Sequence, residues 1–177
     1  MIELKNVSFS YHTAELNSGV YDINLTIPSG QTVLLCGASG CGKTTITRLI
    51  NGLAPVYYQG ELKGEILIDG IDSSKVTLYE LSKKIGSVFQ NPRSQFFSVD
   101  STSEIAFGCE NTGMPREEMY RRIGQVAGDL NIKSLLDRNL FALSGGEKQK
   151  IACASVSAMQ PEILVLDEPS SNLDLHT

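Results

Sequence analysis

A glycine-rich segment in the first quarter of the chain constrains the fold more than any other feature. Residues 37–44 read Gly-Ala-Ser-Gly-Cys-Gly-Lys-Thr and match the pattern G-x-x-x-x-G-K-[ST] of a phosphate-binding loop. The apolar run Val33–Cys36 before it predicts a buried parallel strand, and the stretch from Lys43 to about Leu53 predicts a helix. Such a loop requires this order, because its N–H groups and the helix N-terminus together donate to phosphate oxygens. The sequence therefore predicts an α/β fold that binds a phosphorylated ligand.

The side chains of this loop are predicted to contact different parts of a nucleotide and its metal ion. Lys43 would reach the β- and γ-phosphates, and the hydroxyl of Thr44 would bind Mg²⁺. The alternative is a glycine-rich turn between strand and helix that matches the pattern by chance. The predicted nucleotide contacts in this region are Gly37, Ala38, Ser39, Gly40, Cys41, Gly42, Lys43, Thr44 and Thr45.

Two adjacent carboxylates follow a second apolar run. Asp167 and Glu168 come directly after the fully apolar run Ile163–Leu166, which predicts a buried parallel strand. Ligands of open α/β sheets bind at the carboxyl ends of strands, so Asp167 would hold Mg²⁺ and Glu168 would take the proton of an attacking water. Acidic residues also follow strands as helix caps or turn formers, and this interpretation stays open for the pair taken alone.

The segment Leu143–Gln149 predicts the start of a helix. Ser144 and Glu147 have the S-x-x-E spacing of a capping box, so a well-capped helix is the simplest interpretation. The two glycines between them allow a second interpretation, an anion-binding site. Glycines at the start of a helix leave the backbone N–H groups open to close approach by an anion. The residues predicted to contact such an anion are Ser144, Gly145 and Gly146.

The remaining sequence predicts an antiparallel sheet and a helical insertion. Apolar and polar residues alternate at Val7–Tyr11 and Ile23–Ile27, as in strands of a half-exposed antiparallel sheet. Between residues 91 and 143 the sequence becomes polar and favours helices, which indicates an inserted helical subdomain. The further short strands are predicted at Ile66–Ile68 and Ile85–Phe89, and the helices of the insertion at Glu104–Phe107 and Arg116–Leu130.

Composition argues against several other classes of protein. The chain has 177 residues and a formal net charge of -5, without a block of Lys or Arg, so no nucleic-acid partner is expected. No apolar run approaches the roughly 20 residues of a membrane span, so a membrane role would come through a partner. The cysteines lack CxxC spacing and are predicted to be reduced cytosolic thiols instead of zinc ligands or disulfides. They are Cys36, Cys41, Cys109 and Cys153.

Five segments, taken together and in this order, resemble the nucleotide-binding domain of ABC ATPases. They are the phosphate-binding loop, Gln90, Leu143–Gln149, Leu164–Pro169 and Ser171–Asp174. The resemblance covers nearly the whole chain. It implies a P-loop NTPase of RecA-like type, with a parallel-sheet core, an N-terminal antiparallel β subdomain and an inserted helical subdomain. Residues 1–177 would form a single, C-terminally incomplete domain, with its core at 1–90 and 144–177 and its helical subdomain at 91–143.

The resemblance also implies ATP and Mg²⁺ as ligands and a second ABC ATPase domain as a partner. In this family two domains face each other head to tail, so Ser144, Gly145 and Gly146 would act on the ATP held by the partner. Asp174 would join the two sites. Tyr11 is similar to the aromatic residue that stacks on adenine, and a core aromatic at a strand end is the alternative for it.

The resemblance further implies that the chain is an ATPase. Gln90 is similar to the glutamine that senses Mg²⁺ and the attacking water and that connects to the transport subunit. The catalytic set implied is Glu168, Gln90 and Lys43, and the metal set is Thr44, Gln90 and Asp167.

Two segments resemble the energy-coupling factor class of ABC ATPases, which drive uptake of vitamins and transition metals. These are Asn91–Phe97 and Glu104–Gly108. The resemblance implies an integral membrane transport subunit as partner, an identical or paralogous second ATPase, and a peripheral place on the cytoplasmic face of the cell membrane. Phe96 and Phe97 would either dock that subunit or pack inside the helical subdomain.

Two other classes of protein are alternatives to a transporter ATPase. A soluble ABC protein that acts on DNA or ribosomes is the alternative, although the chain has neither long coiled coils nor a second domain with a charged linker. A P-loop GTPase would need an Asn-Lys-x-Asp motif, which is absent.

The chain departs from the family near its C-terminus. Family members carry a switch histidine well beyond the aspartate loop, whereas His176 is too close to Asp174 and His12 lies on another strand. We therefore expect a fragment without its last strands, its last helices and this histidine, and with weak turnover.

Overall fold

Four strands near the N-terminus pair into an antiparallel sheet. The computed structural model describes residues 1–12 and 18–170. The chain divides into two compact units, Met1–Ser82 and Lys83–Thr177, and the sheet belongs to the first. Its order is β2-β1-β3-β4, which confirms the predicted antiparallel β region. The strands are β1 (Ile2–Tyr11), β2 (Gly19–Ile27), β3 (Gly60–Ile68) and β4 (Ile71–Asp72).

A bulge in β1 keeps its apolar residues on one face of this sheet. Ile2 and Leu4 are buried, and Val7 and Phe9 are buried as well, although the step between the pairs is three residues instead of two. The pairing of β1 with β2 and with β3 shifts at this step, where Asn6 has a φ of 51°. In a regular strand, a step of three residues would place Val7 and Phe9 on the opposite face from Ile2 and Leu4. The bulge accommodates the extra residue, so that all four apolar side chains lie on one face.

The phosphate-binding loop leads into helix α1 (Lys43–Ile50), which is followed by a short helix, α2 (Leu53–Val56). Helix α1 therefore ends three residues before the predicted Leu53. Helix α3 (Leu78–Lys84) follows β4 after a single 3-10 turn.

The buried strand predicted at Val33–Cys36 was wrong. The structure has no strand from Gln31 to Ala38, and Val33 and Leu34 are 42% and 83% exposed. A strand exists only where a neighbouring strand satisfies its backbone N–H and C=O groups. The four-stranded sheet of this unit pairs β2, β1, β3 and β4 with one another and leaves the apolar run without such a neighbour.

The described residues of the second unit, 83–170, form three long helices and a parallel pair of strands. Strands β5 (Ile85–Val88) and β6 (Ile163–Leu166) pair in parallel, as predicted for β6. Val165 is buried, but Leu164 and Leu166 are 50% and 44% exposed, so the prediction of a buried strand is wrong for these two residues. In the described part of the chain β6 pairs only with β5. A sheet of two strands leaves much of the side-chain surface of each strand open to solvent. The helices are α4 (Ser101–Asn111), α5 (Arg116–Asp129) and α6 (Gly145–Ala158).

Helices α4, α5 and α6 share one apolar core. Its fully buried members include Ile105, Cys109, Ala127 and Ile151. The predicted helical stretch at Glu104–Phe107 is part of the longer α4, which starts at an Asp100 side chain that accepts from the Ser103 N–H. Among the residues that the structure describes, no helix combines the length and apolar character that a membrane crossing requires.

Candidate functional site

Two glycines of the phosphate-binding loop occupy backbone conformations that other residues rarely adopt. Gly40 has a φ of 78°, and Gly42, the residue before α1, has a φ of 98°. A Cβ atom on Gly42 would lie 2.5 Å from a methyl of Val20, and one on Gly37 would lie 2.5 Å from Cys41 Sγ. The loop therefore needs glycine both for its turns and for its close contacts. Its residues 37–41 are exposed and open to a ligand.

Lys43 lies at the first position of α1 and reaches back across the loop. Its ammonium donates to the carbonyl oxygens of Gly37 and Ala38, each at 3.0 Å. These two bonds place a positive charge inside the curve of the loop, beside the start of a helix whose dipole also favours anions. The arrangement fits a phosphate group.

Tyr11 ends β1 against the same helix. Its hydroxyl lies 3.0 Å from Thr45 Oγ1 and accepts a hydrogen bond from Arg48 at 3.1 Å. The ring meets Phe9 edge-on, with centroids 4.9 Å apart and planes at 84°. The structure thus anchors Tyr11 beside the phosphate-binding loop, and its stacking on a base stays a prediction.

The structure brings Gln90 and Glu168 together. Strands β5 and β6 run in parallel with Val88 opposite Leu166, and each candidate residue lies two positions beyond its strand. The Gln90 amide donates to the Glu168 carboxylate at 2.6 Å. Glu168 has a φ of 47°, and the backbone N–H of Asp167 donates to Val88 O at 3.0 Å. The carboxyl ends of the two strands therefore hold an exposed carboxylate in a defined orientation.

Helix α6 begins with the predicted capping box. The Ser144 N–H donates to the Glu147 carboxylate at 2.7 Å, and the Glu147 N–H donates to Ser144 Oγ at 3.3 Å. The hydrogen bond from the Ser144 backbone N–H is the main cause that holds the pKa of Glu147 below its usual value, and the Ser144 side chain and the Arg138 guanidinium 3.5 Å away lower it further. Ser144 and Gly145 are exposed, so the N-terminus of α6 is accessible. The capped helix is confirmed, and the anion site there stays a prediction.

Several known proteins are similar to this chain. Residues 20–171 match the protein family described as ABC transporter. A putative ABC transporter ATP-binding protein of Treponema denticola is 57% identical over 177 residues, which are 100% of this chain and 36% of that protein. An energy-coupling factor transporter ATP-binding protein of Oenococcus oeni is 40% identical over 174 residues, with 98% of this chain and 61% of that protein covered.

Solved structures agree with these relatives. CbiO1 of Clostridium perfringens, part of the ABC transporter complex CbiONQ, has a TM-score of 0.80 and 31% identity, covering 98% of this chain and 67% of that one. A dimeric ATP-binding cassette bound to ADP and Pi has a TM-score of 0.85 and 28% identity, covering 99% and 77%. The chain belongs to the ABC transporter family. The predictions of an α/β P-loop fold and of a domain from the ABC family are confirmed. The chain spans about a third of the length of the Treponema denticola relative, and ATP hydrolysis and the binding of ATP with Mg²⁺ stay predictions.

The residues present fit the ligands of an ABC ATPase. The glycine cradle and Lys43 suit phosphates, because a Cβ atom on Gly37 or Gly42 would meet atoms at 2.5 Å. In the first unit Thr44 offers a hydroxyl oxygen, and in the second unit Gln90 and Asp167 offer an amide and a carboxylate oxygen. Each is a hard donor of the kind that Mg²⁺ prefers together with phosphates and waters. Asp174, the segment Ser171–Asp174 and His176 lie outside the described residues.

Some contacts of this ABC domain have no signal in the sequence. Arg48, which donates to the Tyr11 hydroxyl, also makes a cation–π contact with Tyr58, in which the guanidinium carbon lies 3.8 Å from the ring centroid. The buried Glu104 accepts from the N–H groups of Phe97 and Ser98. These partners lie up to 37 residues apart, where no local spacing rule applies.

The capping box predicts a pH-dependent contribution to stability. Replacing Glu147 with glutamine should lower the free energy of unfolding by about 0.3–1 kcal/mol, the usual value for a charge near a helix N-terminus. Because the pKa is lowered in the folded state, this stabilisation is present above the ordinary glutamate pKa and disappears as pH falls through the lowered one. Urea unfolding at several pH values measures the difference. Glu65→Gln, on an exposed strand position, is the control, and a gap independent of pH would contradict the assignment.

Proposed function

We propose that this chain binds ATP with Mg²⁺ and hydrolyses it to drive uptake through a membrane transporter of the energy-coupling factor class. The observation that supports hydrolysis most directly is the 2.6 Å hydrogen bond between Gln90 and Glu168. It orients a carboxylate at the carboxyl ends of two parallel strands, where ligands of α/β sheets bind.

Each residue of the proposed site has its own part in the reaction. Lys43 binds the β- and γ-phosphates. Gln90 orients the attacking water, and Glu168 accepts the proton of that water. Thr44 of the first unit and Asp167 of the second would each be a ligand of Mg²⁺, which when bound neutralises charge on the phosphates. Tyr11 lies against the base.

The importer proposal is supported by the relatives and by one surface of the second unit. Phe97 is 75% exposed, and its ring stacks on that of Phe107 with centroids 4.8 Å apart. Glu104 fixes the Phe97 backbone through hydrogen bonds of 2.9 and 2.8 Å to residues 97 and 98. Phe96 packs on the apolar core instead. An exposed aromatic ring on a fixed backbone suits a partner protein, here the membrane subunit.

Two measurements test this function. Calorimetry of the chain with ATP and Mg²⁺ should give saturable binding, and no binding would contradict the proposal. Phe97→Ala should reduce co-purification with a membrane subunit, whereas Phe96→Ala is expected to act through stability. Co-purification with ribosomes or DNA would instead favour a soluble ABC protein.

A head-to-tail pair predicts an effect of Ser144 across the interface. Ser144→Arg should leave ATP binding by one chain nearly unchanged, because the proposed contacts to that nucleotide are Lys43 and Thr44, whereas Ser144 acts on the ATP of the partner. Loss of the cap lowers stability by only about 1 kcal/mol. Hydrolysis should fall by at least about 100-fold, since a preorganised anion contact is lost.

Mixing this variant with Lys43→Ala chains sharpens the test. In a mixed pair one site carries both defects and the other carries none. Phosphate release should therefore reappear in the mixture and be absent from each variant alone. Normal hydrolysis by Ser144→Arg alone would leave the segment as a capped helix only.

A further inference from the structure

Four side chains connect the end of β1, helix α1 and the residues before β3. The Tyr11 hydroxyl lies 3.0 Å from Thr45 Oγ1 and 3.1 Å from Nη1 of Arg48. The Arg48 guanidinium also lies over the Tyr58 ring, 3.8 Å from its centroid. All four residues belong to the first compact unit.

The direction of the hydrogen bond between Arg48 and Tyr11 follows from the chemistry of the two groups. A guanidinium has donors only, so Arg48 donates and the Tyr11 oxygen accepts. The Tyr11 hydroxyl shares its other hydrogen bond with Thr45 Oγ1, which is buried on the same helix as Arg48, and either hydroxyl can donate in it. Two partners on one helix fix the hydroxyl end of the tyrosine ring.

The anchor lies on the turn of helix that begins at the phosphate-binding loop. Thr45 is two residues after Lys43 and next to Thr44, so the ring is tied to the first turn of α1. Arg48, one turn further along, is held from its other side by Tyr58. Strand pairing reinforces this, because Tyr11 lies opposite Gly60, two residues after Tyr58. The spacing between the Tyr11 ring and the phosphate-binding loop is therefore set by a rigid helical turn.

We propose that Arg48 is a positioning residue for the base of the nucleotide. It holds the Tyr11 ring at a fixed distance from the phosphate-binding loop, and so increases affinity for an adenine nucleotide without touching its phosphates. This inference rests on the proposed binding of ATP and extends it to recognition of the base. A flexible ring would have to be ordered on binding, and an anchored ring avoids that loss of entropy.

The test compares ATP with inorganic triphosphate, which lacks the base and sugar. Arg48→Met keeps the unbranched stem of the side chain and removes its charge and donors. Calorimetry should show an ATP affinity lowered by about 5- to 30-fold, the factor that corresponds to roughly 1–2 kcal/mol. The affinity for triphosphate should change by less than about twofold, within the error of additivity. Arg121→Met, on the exposed face of α5, is the control.

A second variant shows whether Arg48 acts through Tyr11. Tyr11→Phe removes the hydroxyl and keeps the ring, so it should weaken ATP binding and leave triphosphate binding unchanged. In that background Arg48→Met should have less than about a twofold further effect. If Arg48→Met does not fold, Tyr11→Phe alone still tests the inference, because it should lower the affinity for ATP and leave the affinity for triphosphate unchanged.

Three outcomes would overturn the inference. They are unchanged ATP affinity, equal losses for ATP and triphosphate, and an undiminished effect of Arg48→Met in the Tyr11→Phe background. Equal affinity of the wild-type chain for triphosphate and ATP would also overturn the inference, but it would still agree with phosphate binding by the loop. Wild-type chain that binds neither would contradict the proposed function itself.

Discussion

Replacement of Lys43 by alanine is expected to weaken ATP binding by at least about 100-fold, because charge-assisted hydrogen bonds to phosphate contribute roughly 1.5–3 kcal/mol each. The ammonium now donates to the carbonyl oxygens of Gly37 and Ala38 and lies inside the curve of the loop. No other cation of the loop segment 37–44 can replace it. Calorimetry with ATP and Mg²⁺ measures the loss directly.

Removal of this side chain also removes two bonds within the loop, so a control for loop structure is needed. Lys43→Arg keeps a charge and donors but changes their geometry, and it should retain part of the affinity. Lys133→Ala, at an exposed position of the second unit, should retain all of it. Unchanged affinity in Lys43→Ala would remove the phosphate-binding loop from the proposed site.

The local parts of the site could be predicted because they depend on short-range chemistry. Positive φ angles at Gly40 and Gly42 require glycine, and the start of α1 at Lys43 follows from the loop pattern. The capping box of Ser144 and Glu147 is likewise a local rule, and both of its hydrogen bonds are present. Such features need only neighbours along the chain.

Features that depend on distant neighbours were predicted less well. The run Val33–Cys36 is apolar enough for a buried strand, yet burial and pairing are properties of the surrounding fold, and Leu34 is 83% exposed. The bulge at Asn6 and the contact of Arg48 with Tyr11 were not predicted either, because each depends on a neighbouring strand or helix that is distant in the sequence. A residue spacing in the sequence contains no information about which strand or helix will lie beside it.

The second large effect concerns Glu168. Glu168→Gln should retain ATP binding while slowing hydrolysis by roughly 10²–10⁴, the usual range for losing a general base. Glutamine has the same shape, and its amide oxygen can still accept from Gln90, now at 2.6 Å from the carboxylate. The variant therefore removes proton acceptance and leaves the hydrogen bond that orients the side chain.

Phosphate release from the chain assembled with its transporter measures the rate, and gel filtration with ATP should show a trapped pair of ATPase domains. Glu162→Gln is a matched control, because Glu162 lies just before the opposite end of β6 and is exposed. Gln90→Ala separates orientation from proton transfer and should slow hydrolysis less than Glu168→Gln, since the base itself remains. Wild-type turnover in Glu168→Gln would place the base elsewhere, and an equal loss of ATP binding would mean that Glu168 acts on the nucleotide and not on the water.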